Sequence, residues 1–137
     1  MRARVDPRHN QRMEPKILDR RKFVHKWVAE WASEPPVFGW ATELLFDRVR
    51  DAPEAARELV LDLIENAPDD QALGWVAAGP LEDLLCKWGP TFIDRVEALA
   101  RSNNRFKKCL TGVWGWNRME PDIYSRMRRS IDDENPS

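Results

Sequence analysis

The chain offers little reactive chemistry. Its 137 residues include two cysteines and two histidines. Cys86 and Cys109 lie in helix-like apolar segments without metal-ligand spacing, so a reduced intracellular pair is expected. His9 falls in a basic N-terminal stretch. His25 has no second His or carboxylate at i+3 or i+4 to build a ligand set, which argues against a metal site. A Gly-x-Ser-x-Gly elbow is missing, and neither cysteine has a histidine nearby in sequence, which argues against nucleophilic catalysis. Gly112-x-x-Gly115 lacks the Lys and Ser or Thr of a phosphate loop. There is no RRM, KH or helix-turn-helix signature. No run of about 18 apolar residues exists, so no membrane span is expected. The basic start, Met1 to Pro7, is not followed by an apolar stretch, which argues against a secretory signal. Sustained period-two alternation is also lacking, so no sheet is predicted.

Apolar residues make up 42% of the chain and charged residues 33%, which fits one globular domain with a real core. The net charge of −1 hides strong segregation. Residues 1–26 carry nine Lys or Arg against three acids, residues 41–100 five against thirteen, and residues 101–131 eight against two. Two explanations follow. The ends and the middle attract one another and help the domain close, or one of these surfaces meets a charged partner.

Apolar spacing of three, four and seven predicts helices throughout. Residues 1–13 read as a flexible basic arm, 14–131 as a single helical domain and 132–137 as a disordered acidic tail. The first helix runs from Glu14 to Ser33, with Ile17, Val24, Trp27, Val28 and Trp31 inward, and Pro35-Pro36 ends it. The second spans Phe38 to Arg50, with Trp40, Leu44, Leu45 and Val49 inward. Asp51 is the candidate N-cap of a third, whose inner face is Ala56, Leu59, Val60, Leu63 and Ile64. Pro68-Asp69-Asp70 caps a fourth, with Leu73 and Val76 inward. Gly79-Pro80 and Gly89-Pro90 each read as a glycine closing one helix and a proline opening the next. They bound a fifth helix with Leu81, Leu84, Leu85 and Trp88 inward, and start a sixth with Phe92, Ile93, Val96, Leu99 and Ala100. Asn103-Asn104 caps a seventh, with Phe106, Leu110 and Val113. Pro121 opens the last, with Ile123, Tyr124, Met127 and Ile131. The expected fold is all-α: a compact antiparallel stack of seven to eight short helices, either an irregular bundle or a HEAT-like α–α arrangement.

The carboxylate pairs Asp69-Asp70 and Glu82-Asp83 both fall at predicted helix starts, where they complement exposed N–H groups. A buried pair could instead serve acid–base chemistry by splitting its pKa values. Most of the seven tryptophans fall on apolar helical faces and read as core. Trp114 and Trp116 flank Gly115 at a helix end and point in different directions, so at most one is expected to be fully inside. An exposed Trp beside Lys107, Lys108 and Arg118 suits a protein hot spot or a base-stacking platform.

Three blocks carry a resemblance: Gly79-Pro80-Leu81-Glu82-Asp83-Leu84-Leu85, then Trp88-Gly89 with Phe92-Ile93-Asp94-Arg95-Val96-Glu97, then Leu110 to Trp114 ending in Gly-Val-Trp. With them the chain resembles an uncharacterised family of small bacterial all-helical proteins, a domain of unknown function, over residues 27–116. Lys87-Trp88 stands where Arg-His is common in that family. The resemblance implies a helical bacterial cytoplasmic protein. It carries over no reaction, cofactor or catalytic residue.

The expected function is a non-enzymatic intracellular protein–protein interaction module, of the kind an immunity- or defence-type inhibitor uses to occlude its target. Asp62, Glu65, Asp69, Asp70, Glu82, Asp83, Trp114 and Trp116 are the candidate partner-binding residues. The acids would steer and the indoles anchor. Neither catalytic residue, cofactor nor metal is assigned. The expected protein is cytoplasmic, away from membranes, and a monomer or homodimer. One alternative is a nucleic-acid-associated protein using the basic arm and the basic C-terminal helices. Another is an enzyme of unknown reaction working from a carboxylate cluster.

Overall fold

The computed structural model describes residues 18–132, and every regular element among them is helical, as expected. The predicted basic arm, Ile17 and the tail beyond Asp132 lie outside the described residues. Helix α1 (Arg20–Ala32) begins after Asp19, whose carboxylate accepts the N–H groups of Arg21 and Lys22 at 3.1 Å each. That cap sets a later start than the apolar spacing suggested. Helices α2 (Trp40–Asp51) and α3 (Pro53–Asn66) are separated by Ala52 alone. Asp51 is therefore the last residue of α2 rather than the N-cap of α3. Its carboxylate lies 3.1 Å from Arg50, and α3 opens on Pro53 without a side-chain cap. Asp69 does cap α4 (Asp70–Val76), accepting the Ala72 N–H at 2.9 Å.

The two Gly-Pro steps do not break the chain into separate helices. No described glycine has a positive φ, so neither Gly79 nor Gly89 ends a helix by the left-handed route. After α4 the backbone widens into a π-helical turn, Ala77–Leu81, and continues directly into α5 (Glu82–Ser102). Proline removes an amide donor and crowds the carbonyl four residues back. The wider turn carries Pro80 without ending the helix. Pro90 is absorbed by a kink at Trp88 (φ −123°, ψ 23°), whose indole N–H donates to the Val49 carbonyl at 2.7 Å. The predicted fifth and sixth helices are thus one kinked rod. Asn103 ends it and caps α6 (Asn104–Leu110), accepting the Phe106 N–H at 3.0 Å. A loop over 111–120 leads to α7 (Pro121–Asp132).

Gly89 is needed for proximity, not for turn geometry. A methyl at this position would lie 2.8 Å from Ile123 Cγ2, because α7 packs directly on the kink. Gly89→Ala should therefore destabilise the fold by about 1–2 kcal/mol despite alanine's better helix propensity. Ile123→Ala in the same chain should make the alanine at 89 neutral or better. Chemical denaturation of the four proteins of that cycle measures the coupling, and purely additive losses would contradict the contact.

Buried residues from each of the α-helices described form one core: Phe23 and Trp27 from α1, Leu45 from α2, Leu63 from α3, Val76 from α4, Leu85, Phe92 and Ile93 from α5, Phe106 and Leu110 from α6, Met127 from α7. The apolar faces predicted for α3 and α4 are buried in full. Trp40 is a correction. The spacing predicts an inward side chain, yet it is 48% exposed at the first position of α2.

The segregated charges close on one another. Arg20 reaches Glu58 and Asp62, Lys108 reaches Asp70, Arg118 reaches Glu82 and Asp83, and Arg126 reaches Asp94 and Glu97, all within 3.0 Å. The solvent-exposed pairs among them are worth little singly. Together they tie the basic N- and C-terminal segments to the acidic middle, which favours charge closure as the explanation for the segregation.

Candidate interaction site at the tryptophan loop

The loop between α6 and α7 is pinned from both ends. Val113 is fully buried and Met119 nearly so. Backbone bonds stiffen the span: the Trp116 N–H donates to the Trp114 carbonyl at 2.8 Å, and the N–H groups of Arg118 and Met119 donate to the Gly115 carbonyl at 2.9 and 2.8 Å. Gly115 faces inward, where a methyl would lie 3.0 Å from Cys86 Sγ and 3.2 Å from Glu82 Cγ. Its neighbours therefore face outward. Trp114 is 66% and Trp116 64% exposed. The expectation that at most one would be inside is met by neither being inside.

Glu82 holds this loop on α5. Its carboxylate accepts the Trp114 N–H at 3.0 Å and the Arg118 guanidinium at 2.8 Å, while Arg118 also donates to Asp83 at 3.0 Å. The Glu82 side chain is only 12% exposed. Helix-end capping does not explain this pair, because Leu81 before it is already helical and no side chain caps there. The acids act instead as a clamp on the loop. Beside it lies a groove of about 430 Å³ lined by Phe46, Val49, Arg50, Asp83, Cys86, Lys87 and Arg118. Phe46 is itself 45% exposed.

The other predicted acids sit elsewhere. Asp62 is paired with Arg20, Asp69 caps α4, Asp70 is paired with Lys108, and Glu65 is exposed near the end of α3. No hydrogen bond joins these four to the tryptophan loop among the described residues. Of the eight candidate residues, the structure brings together Glu82, Asp83, Trp114 and Trp116. The sequence reading missed Phe46, Gly115 and the clamping role of Arg118. The signal for Gly115 was present in the Trp-Gly-Trp triplet: a residue packed against a helix forces its two neighbours outward.

The two thiols are held protonated by burial. Burial pushes the Cys109 thiol up to about 12, and also raises Cys86, whose other neighbours are Arg118, Glu82 and Asp83. Neither is poised as a thiolate nucleophile. Among the described residues no group of three or more His, Cys, Asp or Glu is arranged to hold a metal. An apolar crevice lined in part by Val60, Leu84, Phe92 and Phe106 has a volume of about 40 Å³, room for a few waters at most.

A second buried polar cluster turns out to be structural. Glu30 of α1 is 4% exposed and accepts three hydrogen bonds from the start of α2: Ala41 N–H at 3.2 Å, Thr42 N–H at 2.9 Å and Thr42 Oγ1 at 2.6 Å. Burial pushes its carboxyl up. The Thr42 hydroxyl and the N–H groups of Gly39, Thr42 and Ala41 outweigh that and hold it below its ordinary 4.5.

The model of a family of unknown function, DUF6869, matches residues 29–135, and the chain belongs to that family. The match begins in α1 and takes in the tryptophan loop. Comparison with curated proteins and with solved structures gives no match.

Proposed function

We propose that this member of a family of unknown function is a protein-interaction module that docks a partner protein on the tryptophan loop. The carrying observation is the pair Trp114 and Trp116, both about two-thirds exposed on a loop held at both ends. Tryptophan dominates interface hot spots, because a large rigid surface is removed from water at low entropy cost. The clamp by Glu82 and Arg118 lowers that cost further by fixing the loop before any partner arrives. Phe46 and the neighbouring groove extend the apolar area, and Arg50, Lys87 and Arg118 give it a polar rim. An occluding inhibitor needs such a surface and no reactive groups, which is why the immunity-type role remains our preferred biological setting.

The basic C-terminal helices support the nucleic-acid alternative less well. Arg126 and Lys108 are engaged by carboxylates, and Arg105 donates to the carbonyls of Ile64 and Ala67. Among the described residues no metal-holding cluster or activated thiol favours the enzyme alternative.

The test is recovery of partners from the native host, with nuclease present, using the wild type and a Trp114→Ala/Trp116→Ala variant. A stoichiometric protein held by the wild type should bind the variant at least about 100-fold more weakly. The variant's melting temperature should stay within about 3 °C, since both indoles are exposed. Equal binding by the variant would overturn the assignment.

A further inference from the structure

Not all cations of the chain are used for closing the fold. Arg20 is paired with Glu58 and Asp62, but its neighbours on α1 point elsewhere. Arg21, Lys22, His25 and Lys26, with Asp19 and Trp40, line a groove of about 520 Å³. All four of those basic side chains are exposed. None of Arg21, Lys22 or Lys26 has a carboxylate partner among the described residues. The single acid in the lining, Asp19, already accepts the N–H groups of Arg21 and Lys22 as the helix cap. Arg21, Lys22, His25 and Lys26 are spaced i, i+1, i+4 and i+5, two rows one helical turn apart on one side of α1. Trp40 of α2 closes the groove, its ring 6.4 Å from Phe23 and 48% exposed.

We propose that this groove binds single-stranded nucleic acid, the α1 cations following the phosphates and Trp40 stacking on an unpaired base. A positive channel with an accessible aromatic face is the combination that holds single strands without sequence preference. A duplex hides its base faces and would leave the indole without a stacking partner. The sequence preceding α1 also carries Arg2, Arg4, Arg8, Arg12 and Lys16. Only Asp6 and Glu14 oppose them there. The surface shares no residue with the tryptophan loop, so the two assignments can fail separately.

The experiment titrates the full chain into a fluorescein-labelled oligothymidine of about 12 nucleotides, read by anisotropy at several salt concentrations. Trp40→Ala should weaken binding about tenfold, and Trp40→Phe should restore most of it. Because Trp40 touches Phe23, a second variant changes only exposed side chains: Arg21→Gln/Lys22→Gln/Lys26→Gln. It should lower the steepness of log K against log salt by about 2, the loss of three phosphate contacts. Unchanged affinity in both variants would overturn the proposal. So would displacement of the oligonucleotide by polyglutamate at equal charge concentration, which would mark the groove as a site for acidic protein segments.

Discussion

Glu30→Ala is expected to lower the unfolding free energy by about 3 kcal/mol, a large share of the roughly 5–15 kcal/mol available to a domain. Helix α2 has glycine at its N-cap, and no side-chain cap of its own. Its first N–H groups are satisfied from across the fold by the Glu30 carboxylate, and a methyl at Gly39 would lie 2.8 Å from Glu30 Oε2. Removing that carboxylate leaves two amides and the Thr42 hydroxyl short of an acceptor in a buried place. Part of the loss is returned because a charge no longer has to be desolvated. Glu30→Gln keeps one acceptor oxygen and the volume, and should cost roughly half as much. Urea unfolding at neutral pH measures both, and a loss below about 1 kcal/mol for the alanine variant would contradict the capping role.

The same carboxylate gives a pH dependence of known sign. Its folded pKa lies below the ordinary 4.5 expected when unfolded. Its contribution is therefore complete above about pH 5 and is lost as pH falls through 4.5 and the lower folded value. The wild type should lose its stability advantage over Glu30→Gln across that acid range.

Trp27→Ala should cost about 4 kcal/mol, because the indole is 1% exposed and its removal leaves a cavity that helices cannot close. Trp27 stacks on Trp31 at 5.0 Å between ring centroids, and Trp31 in turn meets Phe38 at 4.9 Å. The Trp31 indole N–H donates to Thr42 Oγ1, the same hydroxyl that donates to Glu30. Loss of Trp27 should thus loosen the α1–α2 junction as well as the core. The near-ultraviolet circular dichroism should weaken along with the denaturation midpoint. Trp27→Phe, which keeps a ring on Trp31, should recover about half of the stability. A loss of less than about 2 kcal/mol for the alanine variant would show that the neighbours collapse into the space.

What the sequence determined by itself was the helical class and most of the buried face. Leu59, Val60, Leu63 and Ile64 could be read as core because a 3.6-residue period depends only on local spacing. The caps at Asp69 and Asn103 were legible for the same reason, since donor and acceptor are three residues apart. The Gly-Pro steps were misread because a local rule met a global solution. Packing of α7 selects glycine at 89 for closeness, whereas a methyl at 79 would meet Trp31 at an ordinary 3.5 Å, and the helix passes through both prolines by widening and kinking. Glu30 could not be recognised as a cap, since its amides lie 11 and 12 residues away on another helix. The charge segregation was visible in one dimension, but only the folded chain decides which carboxylate each arginine meets. Tertiary structure alone also decides that Glu82 and Arg118 clamp the loop while Trp114 and Trp116 stay in solvent. A residue's exposure depends on what packs over it, and in an all-helical stack those neighbours come from distant parts of the chain.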